Sequence, residues 1–369
     1  MSVPRVHILA DDLTGALDCA VCFTGDVGPI PVRWDIRLPE AGSFALSSET
    51  RELARAEAAD RAARLARRLP VGSGGVVFKK VDSLLRGHEA AEIAAVMDAG
   101  GFAHAVFAPA FPQRGRITRE GRQYVKTDAG LQIVEADVGA ELRALGLTTS
   151  ADPADLANPG VWIADAESDA DLHEIVRRGL ALGTPLLWCG TAGLASALAS
   201  APPRDAMTAR GRILVVSGSD HPVANAQVAA LTRACPDAAL SLAPDAPAAQ
   251  VGRLLEKRGI AIVAADMPPR TRAAARAAIG DALARLLPAL TAPDVLIVMG
   301  GETLRQSCDA LGAEALIVEA EVEPGIPQAK LQGGAWHGTR IISKSGAFGD
   351  ADTLLRMLGL AALSPVQGL

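Results

Sequence analysis

The stretch Val6-His7-Ile8-Leu9-Ala10-Asp11-Asp12-Leu13-Thr14-Gly15-Ala16 decides how this chain is read. A short, mostly apolar run of the kind that forms a buried strand is cut off by two carboxylates, and a helical pattern sets in after Gly15. Further strand-like runs follow at 31–34, 44–47, 76–81, 105–108, 161–164 and 185–188. Between them, residues 51–69 carry apolar side chains at helical spacing until Pro70 stops the pattern, and Ser168 with Asp171 reads as a capping box. Alternation of this kind signals an α/β layer fold.

A length of 369 residues exceeds what one hydrophobic core normally supports. Residues 201–212, with two prolines and no periodicity, read as a linker. A second series of strands follows at 213–216, 260–264, 295–299, 316–319 and 340–343, with helices over 248–257 and 271–287. The expectation is two α/β domains with mostly parallel sheets, 1–205 and 210–369, and an active site in the inter-domain cleft.

With 49% hydrophobic and 21% charged residues, the composition is that of a chain that folds. A net charge of −6 and the lack of a long basic run argue against nucleic acid as a partner. No apolar stretch reaches membrane-spanning length, and acidic residues arrive before a signal-peptide core can form, so a cytoplasmic protein is expected. The five cysteines are odd in number and scattered. Cys19 and Cys22 read as small buried residues of a helix rather than as a redox pair.

Three groups of segments carry chemistry. Asp11 and Asp12, at a strand end where α/β sheets bind ligands, can accept hydrogen bonds from substrate hydroxyls, and one can take a proton; a helix cap is the bland alternative. Residues 79–88 gather Lys79, Lys80, Asp82, Arg86 and His88, a cluster suited to a carboxylate or phosphate, or simply a salt-bridged loop. Residues 108–116 read as a rigid, proline-punctuated loop that can wall the same pocket. In the second half, glycine-rich turns follow three apolar strands, at Gly218-Ser219, at Gly300-Gly301-Glu302-Thr303 and at Lys344-Ser345-Gly346. Glycines let backbone N–H groups approach phosphate oxygens, and three such turns favour a nucleotide site over tight turns alone. The Walker A and Rossmann fingerprints are missing.

Taken in order, these segments resemble the four-carbon acid sugar kinase family, the 3-oxo-tetronate, D-threonate and D-erythronate kinases. The resemblance rests on ADDLTGALDCA from Ala10, ETR ending at Arg51, KKVDSLLRGH from Lys79, APAFPQRGRITREG from Ala108 and GTAGLASAL from Gly190. It continues through VVSGSDHPVANAQ from Val215, MGGETLRQSCDALG from Met299, EPGIPQAKL from Glu323 and SKSGAFGDADTL from Ser343. It implies an N-terminal sugar-acid domain, a C-terminal ATP domain, and phosphoryl transfer to the terminal hydroxyl of a four-carbon acid. By matching motif, Asp11, Asp12, Arg51, Lys80, Val81, Asp82 and Ser83 contact the acid with Arg86 close by, and Ser219, Gly300, Gly301, Glu302, Thr303 and Gly346 hold ATP.

Asp12 is the first candidate for general base and Asp11 the second. Mg²⁺ is expected on chemical grounds, with Glu302 and Asp350 as the only ligands suggested. Leu84 and His88 replace the hydroxyl and amide of the usual DSTLRGN, and His221 and Ala224 stand where Ser and Thr are usual. A homodimer is left open. The competing readings are a non-catalytic sugar-acid or nucleotide sensor, a kinase of a related non-four-carbon acid and, last, a dehydrogenase.

Overall fold

The computed structural model describes residues 5–35, 37, 41–70, 75–155, 159–242, 248–265 and 271–360. The chain divides into two compact units, Met1–Pro203 and Arg204–Leu369, and the break falls inside the 201–212 stretch. Residues just past it already belong to the second unit: the Glu321 amide donates to the Arg204 carbonyl at 2.8 Å and the Ala206 amide to that of Glu321 at 2.9 Å.

The first unit begins with β1 (Val6–Ala10), α1 (Leu13–Cys22), the short α2 (Thr24–Val27), β2 (Ile30–Arg33), β3 (Phe44–Ser47), α3 (Arg55–Ala66), β4 (Val76–Lys80), α4 (Glu89–Gly100) and β5 (His104–Ala108). It continues with β6 (Arg116–Arg119), β7 (Arg122–Thr127), β8 (Gly130–Ile133), α5 (Val138–Ala144), β9 (Thr149–Ser150), β10 (Gly160–Ile163), α6 (Asp169–Ala181), β11 (Leu186–Gly190) and α7 (Ala192–Leu198). The main sheet runs β2-β3-β1-β4-β11-β5-β10-β9 with parallel pairing throughout. Its strands are apolar because helices cover both faces. Leu9, Leu46, Phe107 and Leu187 share one core cluster with Leu65 of α3 and Ile93 of α4. Cys19 and Cys22 lie buried on α1, and all five cysteines are thiols. The Ser168–Asp171 capping box is formed in both directions.

Two features of this unit depart from the sequence pattern. The helix expected over 51–69 starts only at Arg55, because the Thr50 and Arg51 amides donate to the Asp11 carbonyl at 3.0 and 3.4 Å and hold the preceding residues in a turn. The loop expected over 108–116 ends in a three-stranded antiparallel sheet, β6-β7-β8. Its exposed edge strand β8 has no apolar periodicity of the kind that betrays a strand.

The second unit comprises β12 (Ile213–Ser217), α8 (Pro222–Ala234), β13 (Ala239–Ser241), α9 (Ala248–Arg258), β14 (Ile260–Ala264), α10 (Arg272–Leu286), β15 (Val295–Met299), α11 (Gly301–Leu311), β16 (Ala315–Glu323), β17 (Ile326–Gln332), β18 (Arg340–Lys344) and α12 (Thr353–Met357). Its strand order is β13-β14-β12-β15-β18-β17-β16, parallel as far as β18 and antiparallel beyond. The strand expected over 316–319 is longer and turns through Gly325, φ +76°, into β17, which Pro327 disguises in the sequence. The end of the second expected domain, 361–369, lies outside the described residues. Among those described, no helix is long and apolar enough to cross a membrane.

Candidate active-site elements in each unit

From β1 the chain passes through β2 to β3 on one side of β1, then crosses to β4 on the other. Such a reversal opens a crevice at the carboxyl ends of the strands. Ala10 is in register with Ser47, and Leu9 with Lys79, so the residues that follow β1, β3 and β4 come together there.

Arg51 is the centre of this group. Its Nε and Nη2 meet Asp11 at 2.6 and 3.0 Å, and Nη1 and Nη2 each meet Asp12 at 2.9 Å. The chain reaches this position through Glu49, held at φ +51°, a strained conformation for a residue with a side chain. Burial alone would raise the Asp11 carboxyl, but the charges of Arg51, Lys80 and Lys79 hold it below the usual carboxylate range. Asp12 is also the N-cap of α1, accepting from the Gly15 amide at 2.9 Å and the Thr14 hydroxyl at 2.6 Å. The capping role weighed against catalysis is thus real for Asp12, the more exposed of the two carboxylates, while Asp11 is 3% exposed.

Strand alternation separates the two lysines of β4. Lys79 is buried in an ion pair with Glu92 of α4 at 2.7 Å and donates to the Lys80 carbonyl. Lys80 is 5% exposed, and its ammonium makes no ion pair or hydrogen bond among the described residues. Although burial lowers its pKa, Asp11 and Asp12 more than offset this and keep the ammonium charged. Gly15 leaves room beside it, since a Cβ there would lie 3.0 Å from Lys80 Nζ and 2.5 Å from Asp12 Oδ1.

The turn after β4 is organised by Asp82, which takes the Arg86 guanidinium through both oxygens at 2.8 and 2.7 Å and accepts from the Leu84 amide at 3.1 Å. Leu85 follows at φ +53°. Burial raises the Asp82 carboxyl, but Arg86 and Arg51 hold it far below the usual range. Val81 is 1% exposed, its side chain belongs to the core cluster, and its amide is taken by the Gly190 carbonyl. The hydroxyl of Ser83 makes no hydrogen bond among the described residues, while its carbonyl accepts from Gln123 of β7 at 3.1 Å. His88 meets the Leu53 carbonyl through Nε2 at 2.7 Å, and Leu84 is half-buried.

Glu89, in the first turn of α4, was not singled out by its sequence context. It accepts from the Gly87 amide at 3.0 Å, and a Cβ on Gly87 would touch both Glu89 Oε1 and Asp11 Oδ2, at 3.1 and 3.2 Å. Burial pushes its carboxyl up to about 7, with Asp11 and Asp82 adding to the rise. An acid at the start of a helix is ordinary, and only its burial beside other carboxylates sets it apart.

In the second unit the three glycine turns follow β12, β15 and β18, which are adjacent in the sheet. A Cβ on Gly218 would lie 2.4 Å from Thr303 Oγ1, one on Gly300 3.3 Å from the same atom, and one on Gly346 2.3 Å from Ser219 Oγ. The turns therefore converge, and only glycine lets them. Gly300, at φ +106°, caps α11, whose first-turn amides at Gly301, Glu302 and Thr303 have no acceptor within the helix. Lys344 is fully buried and donates to the Ser345 and Phe348 carbonyls at 2.8 and 2.6 Å, which makes it a brace for the last turn. His221 caps α8 by accepting from the Val223 amide through Nδ1 at 3.2 Å, and Ala224 is buried.

The carboxylates suggested for magnesium are both engaged: Glu302 pairs with Arg276 and Asp350 with Arg356, each at 2.8 Å. They do not fit as a cation site. Among the described residues no group of three or more His, Cys, Asp or Glu gathers to hold a metal.

Over residues 6–151 the chain matches a family described as Sugar-binding N-terminal domain, and over 214–354 one described as Nucleotide-binding C-terminal domain. It is 32% identical over 403 residues to the D-threonate kinase of Bordetella bronchiseptica, covering 96% of this chain and 97% of that one. With the 3-oxo-tetronate kinase of Methylobacterium radiotolerans it shares 29% identity over 424 residues, 96% of this chain and 98% of the relative. The first alignment is longer than the 369-residue chain, so the relative has segments without a counterpart here. A solved protein from Haemophilus influenzae has the same fold at 20% identity, with a TM-score of 0.70 over 97% of this chain and 99% of its own.

Proposed function

This chain belongs to the four-carbon acid sugar kinase family, and from that premise we propose that it transfers the γ-phosphoryl group of ATP to the terminal hydroxyl of a four-carbon sugar acid of threonate, erythronate or 3-oxo-tetronate type. The reading is carried by one observation above the others: three glycine turns at adjacent strand ends converge on Ser219 and Thr303, leaving backbone N–H groups as the natural partners of phosphate. The acid belongs in the first unit, where Lys80 offers an ammonium near Asp12 and Ser83 a hydroxyl, both without a hydrogen-bond partner among the described residues.

In the transfer, the substrate hydroxyl attacks the γ-phosphorus. The new O–P bond forms as the bond to the β,γ-bridging oxygen breaks, its electron pair leaves on ADP, and the hydroxyl proton passes to Asp12. Held by Arg51, Asp12 has as its main task to aim the hydroxyl, which is what a loose phosphoryl-transfer transition state requires. Asp11, buried behind it, fixes Arg51. ATP arrives as its magnesium complex, with no protein ligand to the metal assigned. The five thiols, none bridged, support a cytoplasmic setting.

The test is ADP release from ATP and Mg²⁺ with purified protein and a panel of threonate, erythronate and 3-oxo-tetronate isomers. Substrate-dependent ADP with a phosphorylated acid upholds the reading, and no ADP across the panel sinks it. Tight binding of an acid without product identifies a sensor instead, a reading that the substituted cap at His221 keeps in play. Light scattering on the same preparation reads whether the chain forms a homodimer.

A further inference from the structure

The arginines around the acid-binding turn are unequally committed. Arg51 gives its Nε/Nη2 edge to Asp11, and Arg86 gives the same edge to Asp82. Arg116 has that edge empty. Its Nη1 donates to the Arg114 carbonyl, but among the described residues Nε, shielded from solvent, has no hydrogen-bond partner and Nη2 makes no hydrogen bond. This is the edge that grips a carboxylate with two parallel hydrogen bonds.

Its position is fixed by the backbone. Arg116 opens β6 directly after Gly115, at φ +69°, and exchanges paired hydrogen bonds with Phe111 at 2.8 and 3.1 Å. Gln123, 1% exposed on β7, ties this small sheet to the acid-binding turn: it donates to the carbonyls of Ser83 and Pro109 at 3.1 and 3.0 Å and accepts from Thr118 of β6 at 2.8 Å. Arg114, Asp82 and Arg86 all lie within electrostatic reach of the half-buried Arg116 guanidinium. That group holds three positive charges and one negative, and the negative one is already taken by Arg86. Burial and the neighbouring cations hold Arg116 below the usual arginine range, an imbalance that a bound anion removes.

We propose that Arg116 is a specificity-determining residue that receives the carboxylate of the acid substrate on its Nε/Nη2 edge, the guanidinium turning off the Arg114 carbonyl to meet it. The assignment to the carboxylate, rather than to the transferred phosphoryl group, follows from placement. Asp12 marks the end where the hydroxyl reacts, whereas the charges within reach of Arg116 are Arg114, Asp82 and Arg86 and do not include Asp12. The inference rests on the kinase reading for the identity of the acid.

Steady-state kinetics of Arg116→Gln and Arg116→Lys, with melting curves to confirm folding, test it. With the preferred acid, Arg116→Gln is expected to raise KM roughly 10- to 100-fold, the loss of a charge-assisted hydrogen-bonded contact, with kcat within a few-fold and KM for ATP unchanged. Arg116→Lys, which keeps charge without the fork, falls between. Preference for the acid over the neutral tetritol should shrink by the same factor. An unchanged KM for the acid overturns the proposal, as does a loss confined to product inhibition by the phosphorylated acid, which would place the phosphoryl group there. Should the wild type release no ADP with any acid, the kinase reading fails separately and Arg116 is read by calorimetry. Acid binding about tenfold weaker in Arg116→Gln then upholds it, and equal affinity, or no binding to wild type, overturns it.

Discussion

Arg51 meets Asp11 edge-on, Nε to Oδ2 at 2.6 Å and Nη2 to Oδ1 at 3.0 Å, with the carboxylate 3% exposed. The same guanidinium braces Asp12, so one side chain neutralises two adjacent acids at a strand end. Removing it strands a buried charge. Arg51→Ala is expected to destabilise the fold by about 3–5 kcal/mol in denaturant titrations, and adding Asp11→Asn should recover part of that loss. Purely additive losses would show that the two residues do not act as a pair.

Asp12→Asn separates capping from chemistry. Asparagine caps a helix about as well as aspartate, so the melting temperature should change little. Turnover of the preferred acid should fall about 10²- to 10⁴-fold, the usual worth of a positioned proton acceptor, while ATP affinity measured by calorimetry stays within twofold. A variant with near wild-type kcat removes Asp12 from the reaction.

At Gly346 the prediction concerns the donor. A methyl there would stand 2.3 Å from Ser219 Oγ and 3.1 Å from the His221 Cβ, pushing two of the three converging turns apart. Gly346→Ala should raise KM for ATP at least about tenfold, the scale of one lost charge-assisted hydrogen bond, and leave KM for the acid unchanged. An effect on the acid alone contradicts the division of labour between the units.

Glu89 sets a pH dependence. Its carboxyl is raised to about 7 from 4.5, so the folded chain keeps a proton that the unfolded chain has lost across that window. Its contribution to stability is full below pH 4.5 and is lost as pH rises through about 7. Relative to Glu89→Gln, the wild type should lose about 3 kcal/mol between pH 4.5 and 8 in denaturant titrations. A constant difference across that range means that Glu89 is ionised throughout.

Much of the frame was legible from residue order. Continuous apolar runs marked the buried parallel strands, since a strand covered on both faces has no polar side to display. The carboxylates at 11 and 12 and the glycine turns after β12, β15 and β18 stood out because each interrupts such a run. The start of α3 was misread because the amides of Thr50 and Arg51 are claimed by a carbonyl 39 and 40 residues earlier, which no local propensity reveals. The β6–β8 sheet was missed because its outer strand is exposed and unpatterned.

The three lysines in the chemically marked segments show where sequence stops. Their number and position were readable, but their partners were not. Lys79 is consumed by Glu92 on a neighbouring helix and Lys344 by carbonyls of its own turn, while the Lys80 ammonium, one residue from Lys79 and on the opposite face of the strand, has no hydrogen-bond or ion-pair partner among the described residues. Sequence by itself determined the alternating α/β architecture and which segments bear charge or glycine, because those follow from burial periodicity and backbone freedom. Tertiary structure alone decided which charges cancel and which stay available, because an ion pair depends on neighbours that only the packed sheet brings within about 3 Å.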